Sequence, residues 1–154
     1  MLDVPQIVRV AAQAAAIIPF RIPRAEIQQV MGPGIQELMA TLAAQGISPV
    51  GPVFSHHFRL DPEFFEFEVG VPVARPVKPQ GRVKPGLLPG AMVARTTYRG
   101  GYEGLGAAWS DFDTWLQAEG YTPALDFWES YAAGPESGPD PATWRTDLYR
   151  PLIR

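Results

Sequence analysis

Cysteine is absent from the 154-residue chain, which excludes disulfides and thiolate-bound zinc or iron–sulfur centres and fits a reducing compartment; cytoplasm is the expected location. Histidine is scarce too. The two present, His56 and His57, are adjacent, and on a strand they point to opposite faces, which argues against a shared metal. No metal and no cofactor is expected. A basic excess is also lacking: 13 Lys and Arg against 16 Asp and Glu leave a net charge of -3, so general electrostatics provide no nucleic-acid surface. Long apolar runs are missing as well. The N-terminal stretch "MLDVPQIVRVAAQAAAIIPF" carries an acid at Asp3 and is broken by Arg9 and Gln13; it fits neither a signal peptide nor a membrane span.

What is present is the balance of a soluble globular domain, 46% hydrophobic and 19% charged, with enough chain to bury a core unaided. Two segments match at an offset of 74 residues, "LMATLAAQGISPVGPVFSHHF" and "FDTWLQAEGYTPALDFWESYA". Under that offset Met31, Ile35, Leu38 and Leu42 fall on Leu105, Trp109, Phe112 and Leu116, each set forming one helical stripe. Gly46 then falls on Gly120 and Pro49 on Pro123, a left-handed stop followed by a residue that keeps the helix from resuming. Strand-like stretches follow each stop, "VGPVFSHHFRL" then "FFEFEVGVPV", and "ALDFWESYA" then "TWRTDLYRPL". Another strand precedes each helix, in "IVRVAAQAAAIIPF" and "AMVARTTYRG".

The order strand, helix, strand, strand thus occurs twice. It predicts one α+β domain over residues 1–154, a tandem β-α-β-β repeat with pseudo-twofold symmetry and an antiparallel sheet carrying two main helices on one face. The first repeat spans about 1–74, a Pro- and Gly-rich linker about 75–89, and the second repeat about 90–154. The basic residues of the linker, Arg75, Lys78, Arg82 and Lys84, read as solvated rather than as a phosphate strip. In "IQQVMGPGIQEL", Pro33 sits inside the apolar stripe. The helix therefore starts near Pro33, or a short turn over 24–31 precedes it with a kink.

The candidate chemistry lies in "DFWESY", where Glu129 stands among Phe127, Trp128 and Tyr131. Alternation places Phe127, Glu129 and Tyr131 on one face. Periodicity leaves open whether that face is wet or buried. If buried, rings raise the carboxyl pKa unless a donor such as Tyr131 compensates, and the group suits a lipophilic cation or general-base work on a water. At the offset of 74, Glu129 falls on Ser55, Tyr131 on His57 and Phe127 on Val53, so the acid occurs in one half only. The glycines of "RGGYEGLG" read as a strand-to-helix turn rather than a phosphate loop. Glu63, Glu66 and Glu68 alternate with phenylalanine as on a strand with one wet face.

The succession "TTYRGGYEGLGAAWSDFDTWLQAEG", "DFWESY" and "PATWRTDLYRPL", with "FFEFEVGVPV" in the first half, resembles the GyrI-like small-molecule-binding domain, which also occurs as the effector-binding half of multidrug-responsive MerR-type and AraC-type regulators. The resemblance covers nearly the whole chain. It implies a cleft between the two helices in which Glu129 lies among aromatic residues, with Tyr131 the ring that follows it. Tyr102 falls in the family's Gly-Pro-Tyr turn, here Gly-Gly-Tyr. Phe127, Tyr98, Trp109 and His57 complete the candidate ligand contacts.

The resemblance implies a binding module for lipophilic, often cationic, small molecules, acting as sequestrant or as a sensor with a separate protein partner. The alternative is a hydrolase that opens cyclopropane-bearing DNA-alkylating compounds, with Glu129 as general base and Tyr131 or Tyr102 donating to the oxygen that gathers charge. A third reading, protein binding of the gyrase-inhibitor kind, would leave Glu129 dispensable. The chain begins at its first strand, without room for a helix-turn-helix, so a stand-alone member with no direct nucleic-acid or membrane contact is expected.

Overall fold

Both helices end as the sequence predicts, and the ends show why. In the computed structural model, which describes residues 2–58, 62–134 and 138–153, Gly46 and Gly120 take φ of 68° and 80°. The Gly46 N–H donates to Ala43 O and the Ile47 N–H to Leu42 O; the second helix repeats this with Gly120 to Gln117 O and Tyr121 to Leu116 O. These pairs form a Schellman motif, which satisfies carbonyls the helix would leave orphaned and brings the residue past the glycine onto the helix's buried stripe. Ile47 joins the core cluster that holds Leu42, and Tyr121 packs against the one that holds Leu116.

In chain order the elements are β1 (Gln6–Val10), β2 (Gln13–Pro23), α1 (Ile27–Ala44), β3 (Phe54–His57), β4 (Phe64–Pro72), β5 (Lys84–Leu88), β6 (Ala91–Arg99), α2 (Leu105–Ala118), β7 (Phe127–Ala133) and β8 (Arg145–Pro151). Eight antiparallel-paired strands and two α-helices among the described residues make an α+β fold. The chain divides into two units, one of residues 11–90 and one of residues 1–10 with 91–154.

In the unit of residues 11–90, β2 pairs with both β4 and β5, and β4 also pairs with β3. Leu38 and Leu42 of α1 are buried with Ala16, Ile18, Phe67, Val69 and Val71. The helix runs unbroken through Pro33 after a 3-10 turn at Arg24–Glu26. An interior proline costs about 3 kcal/mol. The apolar stripe packs on both sides of it, Met31 and Ile35 included, so tertiary burial overrides the local preference.

The expected linker is more structured than its composition suggests. Arg75 donates to the carbonyls of Gln45 and Gly46 at 3.1 and 2.7 Å, Arg82 pairs with Glu37 at 2.6 Å, and Lys84 opens β5. Pro85 is accommodated in that strand, opposite Ala16.

In the other unit, β6 pairs with β1 and β8, and β8 pairs with β7. The stretch read as one N-terminal strand is thus two, divided at Ala11 and Ala12, with different partners. Ala108, Phe112 and Leu116 of α2 are buried with Ala94, Tyr98 and Leu148. Pro72 and Pro151 both close their strands, their carbonyls accepting from Val50 N–H and Ala124 N–H at 2.9 and 2.8 Å. No helix among the described residues is long and apolar enough to cross a membrane.

Candidate functional site

Register decides what periodicity left open. Glu129 of β7 lies opposite Leu148 of β8, and Leu148 opposite Thr96 of β6. Opposed residues share a face, and Leu148 is wholly buried with Phe112 and Leu116 of α2. Glu129 therefore points beneath the helix and is only 9% exposed.

Its carboxylate has two donors. The Trp109 indole donates from Nε1 to Oε2 at 2.6 Å, and the Tyr131 hydroxyl donates to Oε1 at 2.9 Å. Between Ser130 and Ala133 the β7–β8 register gains one residue on β7. Such a bulge bends the strand and re-aims side chains, and here it spans the stretch that holds Tyr131 and Ala132. Both donors are neutral, and among the described residues no cation pairs with Glu129. Desolvation consequently raises its pKa above the usual carboxylate range, while the bonds from Trp109 and Tyr131 pull it back in part.

Rings surround the acid. Trp109 stands 4.7 Å from Phe127 and 5.8 Å from Phe112, centroid to centroid. Tyr102 packs edge-on to Tyr131 at 5.8 Å and tilts onto Trp144 at 5.1 Å. One turn beyond Trp109 on α2, Asp113 binds Arg150 of β8 at 2.9 Å. Arg150 also donates to Ala124 O at 3.2 Å and lies 5.6 Å over the Phe127 ring. Burial raises the Asp113 pKa, with Arg150 opposing.

The structure brings together Glu129, Tyr131, Trp109, Phe127 and Tyr102 of the expected residues. Tyr98 belongs to the same unit, where its hydroxyl donates to Gly101 O at 2.7 Å and ties down the turn that leads into α2. His57 belongs to residues 11–90, stacked on Phe67 at 4.9 Å and edge-on to Phe65 at 5.4 Å. Desolvation first, then the charges of His56 and Arg24, lower its pKa to about 4. Sequence reasoning passed over Trp144 and the Asp113–Arg150 pair. The signal for Asp113 was its place four residues after Trp109, on the same side of the helix; Trp144 carried none. Among the described residues no group of His, Cys, Asp or Glu is arranged to hold a metal.

Under the aromatic face of α2 this α+β domain thus holds a buried acid with no cation partner among the described residues. The chain belongs to the GyrI-like family: the model for the GyrI-like small molecule binding domain matches residues 4–153. Among curated proteins nothing matches it. Of solved structures, the EcmrR C-terminal domain is similar with 19% identity and a TM-score of 0.85, covering 97% of each chain. In the EcmrR–DNA complex the match covers 98% of this chain but 57% of EcmrR, with a TM-score of 0.84. This chain thus spans little more than half of that protein. A hydrolase from Listeria innocua (14% identity, TM-score 0.65, covering 96% and 91%) and SAV2435 bound to tetraphenylphosphonium (11%, 0.65, covering 97% and 94%) are more distant. At these identities the likeness concerns the fold.

Proposed function

We propose that the domain binds lipophilic organic cations at Glu129, as a sensor or a sequestrant. One observation carries the reading: a buried carboxylate held by two neutral donors and walled by Trp109, Phe127, Tyr131 and Tyr102. Such a site favours a ligand with a positive charge spread over an apolar body. The charge supplies a counter-ion that the acid lacks among the described residues, and the rings add cation–π attraction and apolar contact. The family's small-molecule binding supports a ligand at such a site, and the tetraphenylphosphonium bound by SAV2435 is of the proposed class.

A second reading draws on the same raised pKa. A carboxyl poised above its ordinary range is suited to take a proton from water, with Tyr131 as hydrogen-bond donor, in a hydrolase acting on cyclopropane-bearing alkylators. One experiment separates the two. Wild type and Glu129→Gln are titrated with tetraphenylphosphonium by thermal shift, then incubated with a cyclopropane-bearing alkylator and followed by mass spectrometry. Cation-induced stabilisation lost in the variant, with no water-derived hydroxyl on any product, is expected. Turnover by wild type alone supports the hydrolase, and indifference of both proteins to both compounds refutes a role for Glu129.

A further inference from the structure

We propose that Glu129 takes up a lipophilic cation by giving up a proton, and that Tyr131 lets the site hold both charge states, its hydroxyl accepting from the neutral acid and donating to the carboxylate. The proposal rests on the reading of Glu129 as the cation site and adds how that site is regulated.

The two partners of the carboxyl differ in kind. The indole Nε1 of Trp109 can only donate, so Oε2, at 2.6 Å, must accept in either state. The acid proton therefore belongs on Oε1, where Tyr131 waits at 2.9 Å. A phenol both donates and accepts. It can turn to receive that proton, and turn back when the proton has gone. Both carboxyl oxygens thus keep a hydrogen-bond partner in either state, which favours exchange without repacking.

The charged groups around the site leave this choice to the ligand. From α2 comes Asp113, paired with Arg150 of β8 at 2.9 Å. Arg150 is further engaged with Ala124 O. From β7 comes Tyr131 itself, and the turn before α2 supplies Tyr102, edge-on to it. Neither member of the ion pair bonds to Glu129; burial favours the neutral acid, and the bonds from Trp109 and Tyr131 oppose it. An arriving cation reverses that balance, and the proton leaves Oε1 for solvent. By linkage, a group that must ionise for binding makes cation affinity fall about tenfold for each pH unit on the acid side of its titration.

The test is calorimetric titration of the full chain with tetraphenylphosphonium, a cation that cannot itself titrate, in buffers of different ionisation enthalpy between roughly pH 5 and 8. At the acid end wild type is expected to release close to one proton per cation, with affinity rising about tenfold per pH unit and levelling at the alkaline end. Glu129→Gln is expected to bind weakly, without proton release and without pH dependence. Tyr131→Phe is expected to keep the release but move its midpoint to higher pH, since the carboxylate loses a charge-assisted bond and the acid only a neutral one. Binding with no proton release and flat affinity overturns the exchange. An unmoved midpoint in Tyr131→Phe overturns the part given to Tyr131. Absence of tetraphenylphosphonium binding at every pH overturns the reading of the site itself, and the exchange with it.

Discussion

Replacing Glu129 by glutamine should stabilise the protein increasingly as pH rises. Glutamine fits the same two partners: Oε1 accepts from Trp109 Nε1, and Nε2 donates to the Tyr131 oxygen, at the positions of bonds now 2.6 and 2.9 Å long. Shape and hydrogen bonding are thus kept while titration is removed. In the wild type, burial raises the carboxyl pKa, so the native state holds its proton over a pH range in which the unfolded chain, with a glutamate pKa of about 4.3, has lost it. The native state then binds more protons than the unfolded one, and stability falls as pH rises from that value to the raised one. Within this window the difference between variant and wild type grows by about 1.4 kcal/mol per pH unit, then levels once native Glu129 is ionised. Urea denaturation of both proteins over a pH series measures it, because the other titrating groups cancel in the difference. Parallel stability curves, or a wild type that gains on the variant as pH rises, would refute the picture of an uncompensated buried acid.

His57 should act in the opposite direction. Its pKa is lowered to about 4, so the unfolded chain binds the extra proton first, and stability should be lost as pH falls from about 6.5 towards about 4; His57→Gln should flatten that part of the acid limb by up to about 3 kcal/mol, measured by the same denaturation series. Gly46→Ala and Gly120→Ala should each cost about 1 to 2 kcal/mol, since both positions hold positive φ and an added Cβ meets at most Arg75 at 3.5 Å, which leaves conformation as the cause. A neutral result at either position in chemical denaturation would contradict the Schellman assignment.

The sequence by itself determined the local elements of this protein. The helical stripes, their glycine stops and the prolines that follow are set by sterics and hydrogen bonds within a few residues, so their signals are written side by side in the chain. Phe127, Glu129 and Tyr131 could be placed on one strand face for the same reason. Only the tertiary structure decided that this face lies under α2, because alternation is equally satisfied by either side until a helix covers one, and Trp128 on the other face is buried too. Only there did Trp109, twenty residues before Glu129 in the chain, become its hydrogen-bond donor. The partners of β1 and β2 were likewise invisible, since an alanine-rich run carries no breaker where it changes neighbours. The passage of α1 through Pro33 also follows from distant contacts, whose burial outweighs a local cost.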